Sequence, residues 1–179
     1  MKNKYKLIIG ATLAIGTIAI LSNCRTIPKG INAVKPFDKD KYLGKWYEIA
    51  RFDFRFEKNL NNTTAEYLLR NDGKIKVVNR GFNYKTGKQT EVIGKAKFVG
   101  ASDEAKLNVS FFGPFYSGYN VISIDKDYKY ALVCGKSRDY LWILSREKNI
   151  PEDVKEFYLN KAKSLGFDTS KFVLVEHKQ

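Results

Sequence analysis

Between about residues 45 and 146 the chain alternates apolar and polar positions with a period of two, the spacing of strands with one covered face. The alternating runs lie near 45–54, 63–70, 74–83, 88–98, 105–112, 116–124, 129–135 and 139–146. Turn-forming clusters separate most of them: Asn71-Asp72-Gly73, Lys85-Thr86-Gly87, Ala101-Ser102-Asp103, Gly113-Pro114, Asp125-Lys126-Asp127 and Gly135-Lys136-Ser137. Eight strands on short connections predict an all-β fold, either an up-and-down antiparallel barrel or a sandwich. The period then changes. Pro151-Glu152-Asp153 opens a segment that Gly166 closes, and Val154, Phe157, Tyr158, Ala162 and Leu165 form one apolar stripe along it. This predicts a single C-terminal α-helix packed outside the strands, followed by a short strand over residues 172–176.

The first residues follow neither period. Lys2, Lys4 and Lys6 form a basic head, and Leu7–Leu21 is an almost unbroken apolar run. A membrane-spanning helix needs about 20 apolar residues, so this run is short for one and reads as an export signal. It ends in Leu21-Ser22-Asn23-Cys24, which resembles the lipobox of bacterial lipoproteins. That resemblance implies that Cys24 is acylated and becomes the new N-terminus. Asn23 departs from the pattern, in which Gly, Ala or Ser usually precedes the cysteine; a cleaved soluble form and an uncleaved anchor are the alternatives. The expected organisation is a signal peptide over residues 1–23, an N-terminal tether over 24–35 and one domain over 36–179.

Charge and cysteines narrow the partners. Removing residues 1–23 takes three of the 32 basic side chains and none of the 19 acidic ones, which lowers the net charge from +13 to +10. A basic surface favours phosphate-bearing partners, and an exported protein does not meet nucleic acid. With lipid on Cys24, Cys134 has no partner; the alternative is a Cys24–Cys134 disulfide.

Three stretches, "YLGKWYEIARFD", "FFGPFYSGYNVI" and "ALVCGKSRDYLWILSR", together resemble the lipocalins, and among them the bacterial lipocalins, outer-membrane lipoproteins of Gram-negative cells. The Gly44-Lys45-Trp46 motif alone is weak; with Arg146 at the end of the eighth strand it is specific. The resemblance covers nearly the whole mature chain. It implies an eight-stranded barrel with one helix outside, anchored to the outer membrane and facing the periplasm. It also implies a structural floor in which Trp46, after Gly44, closes the barrel and Arg146 lies across the ring. An eight-stranded barrel is just wide enough to be filled by side chains or to hold one small ligand. The pattern leaves both open; the resemblance favours the hollow barrel.

Parity along the strands gives the candidate inner wall: Ala65, Tyr67 and Leu69; Ile75, Val77 and Asn79; Val92, Gly94 and Ala96; Leu107, Val109 and Phe111; Trp142 and Leu144. On strand one, Trp46, Glu48 and Ala50 share a face. Tyr67, Val77, Phe111, Trp142 and Leu144 are the expected contacts for the tail of a fatty acid or lysophospholipid. The connections opposite the floor carry Arg55, Lys58, Lys85, Lys88, Lys136 and Arg138 against Glu57 and Asp139. Lys85, Lys136 and Arg138 are therefore the candidate rim for an anionic head group. Phe112, Phe115 and Tyr116 flank a tight Gly113-Pro114 turn and are expected to stay exposed at the mouth, against acyl chains or a membrane surface.

Catalytic machinery is sparse. The single histidine, His177, is the third residue from the C-terminus, where disorder is expected; this argues against a histidine triad and a multi-histidine metal site. Glu48 as a general base and Cys134 as a nucleophile are the remaining enzymatic options. The reading is a non-enzymatic binder without metal or cofactor, its oligomeric state open. A tethered structural lipoprotein with a filled barrel is the alternative.

Overall fold

The computed structural model describes residues 25–178. The segment expected to be a signal peptide, residues 1–23, and the expected anchor residue Cys24 lie outside the described residues. Nine strands form one antiparallel sheet: β1 (Gly44–Phe52), β2 (Leu60–Leu69), β3 (Ile75–Asn83), β4 (Lys88–Phe98), β5 (Lys106–Ser110), β6 (Ser117–Ile124), β7 (Tyr130–Cys134), β8 (Leu141–Ser145) and β9 (Phe172–Leu174). Each strand from β2 to β7 pairs with the next, and β1 pairs with both β8 and β2, which closes an eight-stranded up-and-down barrel. β9 adds beside β1 where β2 has diverged, with Ala50, Arg51 and Phe52 opposite Leu174, Val173 and Phe172. A short helix, α1 (Lys39–Tyr42), precedes β1, and α2 (Glu152–Ser164) follows β8.

Three bulges re-aim the side chains. On β1 the register to β8 slips at Ile49, between Glu48 and Ala50. An extra residue reverses the inside–outside alternation beyond it. Ala50 therefore faces outward rather than sharing the inner face of Trp46 and Glu48, and Arg51 takes the inward position. Similar slips occur between Asn61 and Thr64 on β2 and between Val121 and Ser123 on β6.

Apolar side chains accordingly form two cores. The inner one contains Trp46, Tyr67, Val77, Leu107, Val121 and Leu144. The outer one packs Ile49, Ala50, Phe52, Leu132, Ile143 and Cys134 against Tyr158 and Ala162 of α2. Phe157, expected on that packed stripe, is 57% exposed; the buried face runs through Val154, Tyr158 and Ala162, four residues apart. The tether is bound along the barrel rather than free. Val34 N–H donates to Val121 O, Ala105 N–H donates to Val34 O, and Asn120 Nδ2 donates to Thr26 O at 2.8 Å.

Candidate functional site: a cavity inside the barrel

The floor is built from both ends of the barrel sequence. Trp46 is fully buried, and its Nε1 donates to Tyr42 O at 2.8 Å. The Arg146 guanidinium stacks across the ring and donates to the carbonyls of Lys41, Tyr42, Leu43, Lys45 and Tyr128. Gly44 has φ +92°, a conformation that favours glycine, and Arg146 Nη1 lies 3.5 Å from where its Cβ would stand.

Above the floor is a cavity of about 420 Å³, within the usual range of small-molecule pockets. Tyr67, Val77, Phe111, Trp142 and Leu144 all line it, as do Ala65, Ile75, Asn79, Val92, Ala96, Leu107 and Val109. Two positions of the expected wall do not. Leu69, at the end of β2, is 49% exposed, and Gly94 is covered by the Phe111 ring, 2.6 Å from its would-be Cβ.

Besides single polar side chains such as Asn79, Arg80 and Thr90, two hydrogen-bonded clusters interrupt the apolar wall. Near the floor, the hydroxyls of Tyr42, Tyr119 and Tyr67 stand in a hydrogen-bonded row. Higher up, Arg51 lies between two acids, with Nη1 3.2 Å from Glu48 Oε2 and Nε 3.5 Å from Glu57 Oε2. Arg51 Nη2 also donates to Glu57 O and Leu60 O, and Trp142 Nε1 donates to Glu57 Oε2 at 3.2 Å. Burial, and then the neighbouring Glu48 charge, holds the Glu57 carboxyl well above the usual carboxylate range. Glu48 is raised as well, by burial, against the opposing pull of Arg51.

The mouth differs from its expected form. Lys85, Lys136 and Arg138 line none of the cavity. Lys85 Nζ stands 6.0 Å from the ring of Tyr84, and Lys136 is exposed. Arg138 instead donates to Leu165 O at the C-terminal end of α2 and to Lys29 O, fastening the helix and the N-terminal segment to the barrel. What rings the opening is aromatic: Phe56, Phe112, Phe115 and Tyr116 are exposed and border the cavity.

The two enzymatic options find no support in their surroundings. Among the described residues Cys134 is a buried free thiol in the outer core, pushed up to about 12 by burial, so it is not a thiolate at neutral pH. Glu48 is held by Arg51 rather than presented alone. His177 is docked, contrary to expectation: its Nε2 lies 2.7 Å from Glu48 O and its ring meets Tyr47 edge-on.

The sequence reading did not pick out Tyr42, Phe54, Glu57 or Tyr119 as wall residues. Tyr119 has the inward parity of β6, so the alternation that located Val109 would have located it. Phe54 and Glu57 come from the β1–β2 connection, where no period applies.

Comparison with known proteins agrees with this architecture. Residues 37–177 match the model of the lipocalin-like domain family. The chain is 52% identical over 170 residues to the outer membrane lipoprotein Blc of Escherichia coli K12, covering 95% of each chain. It is 42% identical over 160 residues to the protein of the same name from Vibrio cholerae, covering 89% of this chain and 94% of that one. Among solved structures it resembles insecticyanin of the tobacco hornworm Manduca sexta, with a TM-score of 0.69 at 22% identity, covering 87% and 88% of the two chains. A barrel floored by Trp46 and Arg146, with a family match over most of its length, places the chain in the lipocalin-like family, among the bacterial lipocalins that are outer-membrane lipoproteins.

Proposed function

We propose that this protein holds a fatty acid, a lysophospholipid or a similar single-chain amphiphile in its barrel, for lipid storage, transport or membrane repair in the cell envelope. An acyl group on Cys24 anchors it to the outer membrane, on the periplasmic side. The observation that carries this reading is the cavity itself: about 420 Å³, walled mainly by apolar side chains and open among exposed aromatic rings. Tyr67, Val77, Phe111, Trp142 and Leu144 form the contact surface for the chain. Burial of roughly ten methylenes gives a gross gain of about 8 kcal/mol. Lost ligand motion offsets much of it, which leaves an affinity in the micromolar range. The similarity to proteins named outer membrane lipoproteins supports the envelope address.

Mass spectrometry of lipid co-purified from the native envelope tests the ligand class, and Val77→Trp tests its place. Val77 is buried and faces the cavity, so an indole there fills space that a chain would use. A folded Val77→Trp variant is expected to lose binding of lysophospholipid and fatty acid. Undiminished binding would move the ligand to the outer surface and leave a tethered structural lipoprotein as the better reading.

A further inference from the structure

The tether is fastened to the barrel from its first described residues. Val34 is bonded to Val121 and Ala105, Lys29 O accepts from Arg138 at 3.0 Å, and Thr26 O accepts from Asn120 Nδ2 at 2.8 Å. β6 runs from the mouth at Ser117 towards the floor at Ile124. Read backwards, the tether therefore climbs the outside of the barrel, from Val34 beside Val121 to Thr26 beside Gly118. A Cβ on Gly118 would collide with Thr26 O. Gly118 borders the cavity opening with Tyr116 and Phe115. Cys24 precedes Thr26 by two residues, and a chain spans at most about 3.6 Å per residue, so their Cα atoms stand within about 7 Å. The expected anchor thus leaves the barrel at its mouth, with no slack to reach the floor.

The mouth is cut away beside that point. β4 pairs with β5 only from Lys95 to Phe98, so its mouth-side half, Lys88–Ile93, pairs with β3 alone. The gap between that half and the β5–β6 hairpin is a notch into the cavity, bordered by Thr90, Val92, Phe112, Phe115 and Tyr116. Phe112 is 67% exposed and Phe115 78% exposed. The closed end exposes Leu68 and Leu69 but no ring among the described residues.

Charge gathers at the same place. On the outer face of the sheet Lys76 and Lys95 stand directly opposite each other, a like-charge pairing that destabilises a sheet. Lys76, Lys95 and Lys97 make no ion pair among the described residues. The Nζ atoms of Lys95 and Lys97 lie 5.9 and 4.8 Å from the ring centroid of Tyr116, so the basic strip runs into the aromatic patch. Apolar rings flanked by uncompensated lysines match the boundary between acyl chains and lipid phosphates.

We infer that the notch between β4 and the β5–β6 hairpin faces the bilayer that holds Cys24, with Phe112 and Phe115 in its acyl region and Lys95 and Lys97 on its phosphates. The bound tether works as a strut that keeps the barrel in this orientation. A single-chain lipid then passes between bilayer and cavity through the notch, its tail never crossing water. The inference deepens the proposed reading and rests on it, both for the acylated Cys24 and for the lipid in the barrel.

The acylated full-length lipoprotein in vesicles of phosphatidylglycerol and phosphatidylethanolamine, doped with nitroxide-labelled lipid, tests the orientation. Phe115→Cys at the notch and Lys126→Cys at the closed end each offer one accessible thiol for an environment-sensitive dye, because Cys134 is buried and Cys24 carries lipid. Both proteins are expected to float with the vesicles. The dye at Phe115 should be blue-shifted and strongly quenched, and the dye at Lys126 should keep its spectrum in water. Phe112→Cys is the second reporter, with the same expectation as Phe115→Cys. Adding Lys95→Glu and Lys97→Glu should raise the ratio of undocked to docked protein, read from the Phe115 dye, by at least about fivefold. Equal quenching of the two dyes, or stronger quenching at Lys126, overturns the orientation and leaves the anchor and barrel readings intact. A blue-shifted but unquenched dye at Phe115 means that a second copy covers the rings, which overturns it as well. An unchanged ratio in the glutamate variant overturns the lysine contacts and the docking built on them. Protein that fails to float removes the anchor reading, and the docking with it.

Discussion

The guanidinium of Arg146 lies 3.9 Å from the ring centroid of Trp46 and donates to the carbonyls of Lys41, Tyr42, Leu43 and Lys45 around it. One side chain from the end of β8 thus closes the ring over the first turn into β1 and joins the two ends of the barrel sequence. A cation on an aromatic face contributes about 0.5–2 kcal/mol, and the charge-assisted bonds to carbonyls add to it. Removing the ring leaves a half-buried guanidinium facing a void; removing the guanidinium leaves several carbonyls without their partner.

The two residues should therefore be coupled. Trp46→Ala is expected to cost about 3–5 kcal/mol, as for other buried aromatics. In a double-mutant cycle with Arg146→Ala, measured by urea unfolding, the double variant should lose less than the sum of the single losses by at least about 0.5 kcal/mol. Strict additivity would mean that the pair does not act together.

Gly94 shows a different constraint. A Cβ there would lie 2.6 Å from Phe111 Cδ1 and 2.7 Å from the backbone oxygen of Ser110. The Phe111 ring can turn aside, but the backbone can yield only by moving β5. Gly94→Ala is accordingly expected to destabilise the protein by about 1–3 kcal/mol, and Gly94→Ala with Phe111→Leu should recover only part of that loss. A Gly94→Ala unfolding midpoint equal to the parent's would refute the close approach.

Much of this was legible in the sequence because barrel strands repeat a period of two, and Lys88–Phe98 matches its expected bounds without a shift. The floor was legible through Gly44, Trp46 and Arg146, whose spacing resembles a family pattern. Ala50 and Arg51 were not, because the Ile49 bulge inserts one residue without any sequence mark and reverses the parity of the rest of β1. The rim was misread for a related reason. Arg138 is basic and lies in the expected connection, but the carbonyls left open at the end of α2 draw its guanidinium away from the opening. His177 was expected to be loose because it is terminal, yet one hydrogen bond to Glu48 O and an edge contact with Tyr47 hold it.

The expected anchor can be tested without a structure. Each buried methylene of an attached chain contributes about 0.8 kcal/mol to membrane affinity, and one chain alone gives only reversible attachment. Multiple acylation at Cys24 is therefore needed for stable residence. In cell fractionation, Cys24→Ser is expected to shift the protein from the washed membrane fraction to the soluble one. Continued membrane residence would assign attachment to the uncleaved apolar run Leu7–Leu21 or to the exposed rings at Phe112 and Phe115 instead.

The acid pair in the cavity wall gives the last expectation, a pH dependence of stability. Burial, and then the Glu48 charge, raises the Glu57 carboxyl well above its ordinary value, against the opposing pull of Arg51 and Trp142; burial raises Glu48 as well. In the unfolded chain both acids return to about 4.3. A carboxyl with a raised folded value keeps a proton that the unfolded chain releases. Its contribution is fully present below the unfolded value and is lost as pH rises through the folded one. Within that window stability falls by up to about 1.4 kcal/mol per pH unit for each proton held. Glu57→Gln removes the titrating group and keeps an acceptor for the Trp142 indole. Urea midpoints measured from about pH 4 upward should therefore fall less steeply in Glu57→Gln than in the parent, with the variant the more stable at the alkaline end of the window. Because the lowered acids Asp72 and Asp168 and the lowered histidine His177 are common to both proteins, their contributions cancel in the difference. Parallel profiles for the two proteins would mean that the folded state holds no extra proton at Glu57.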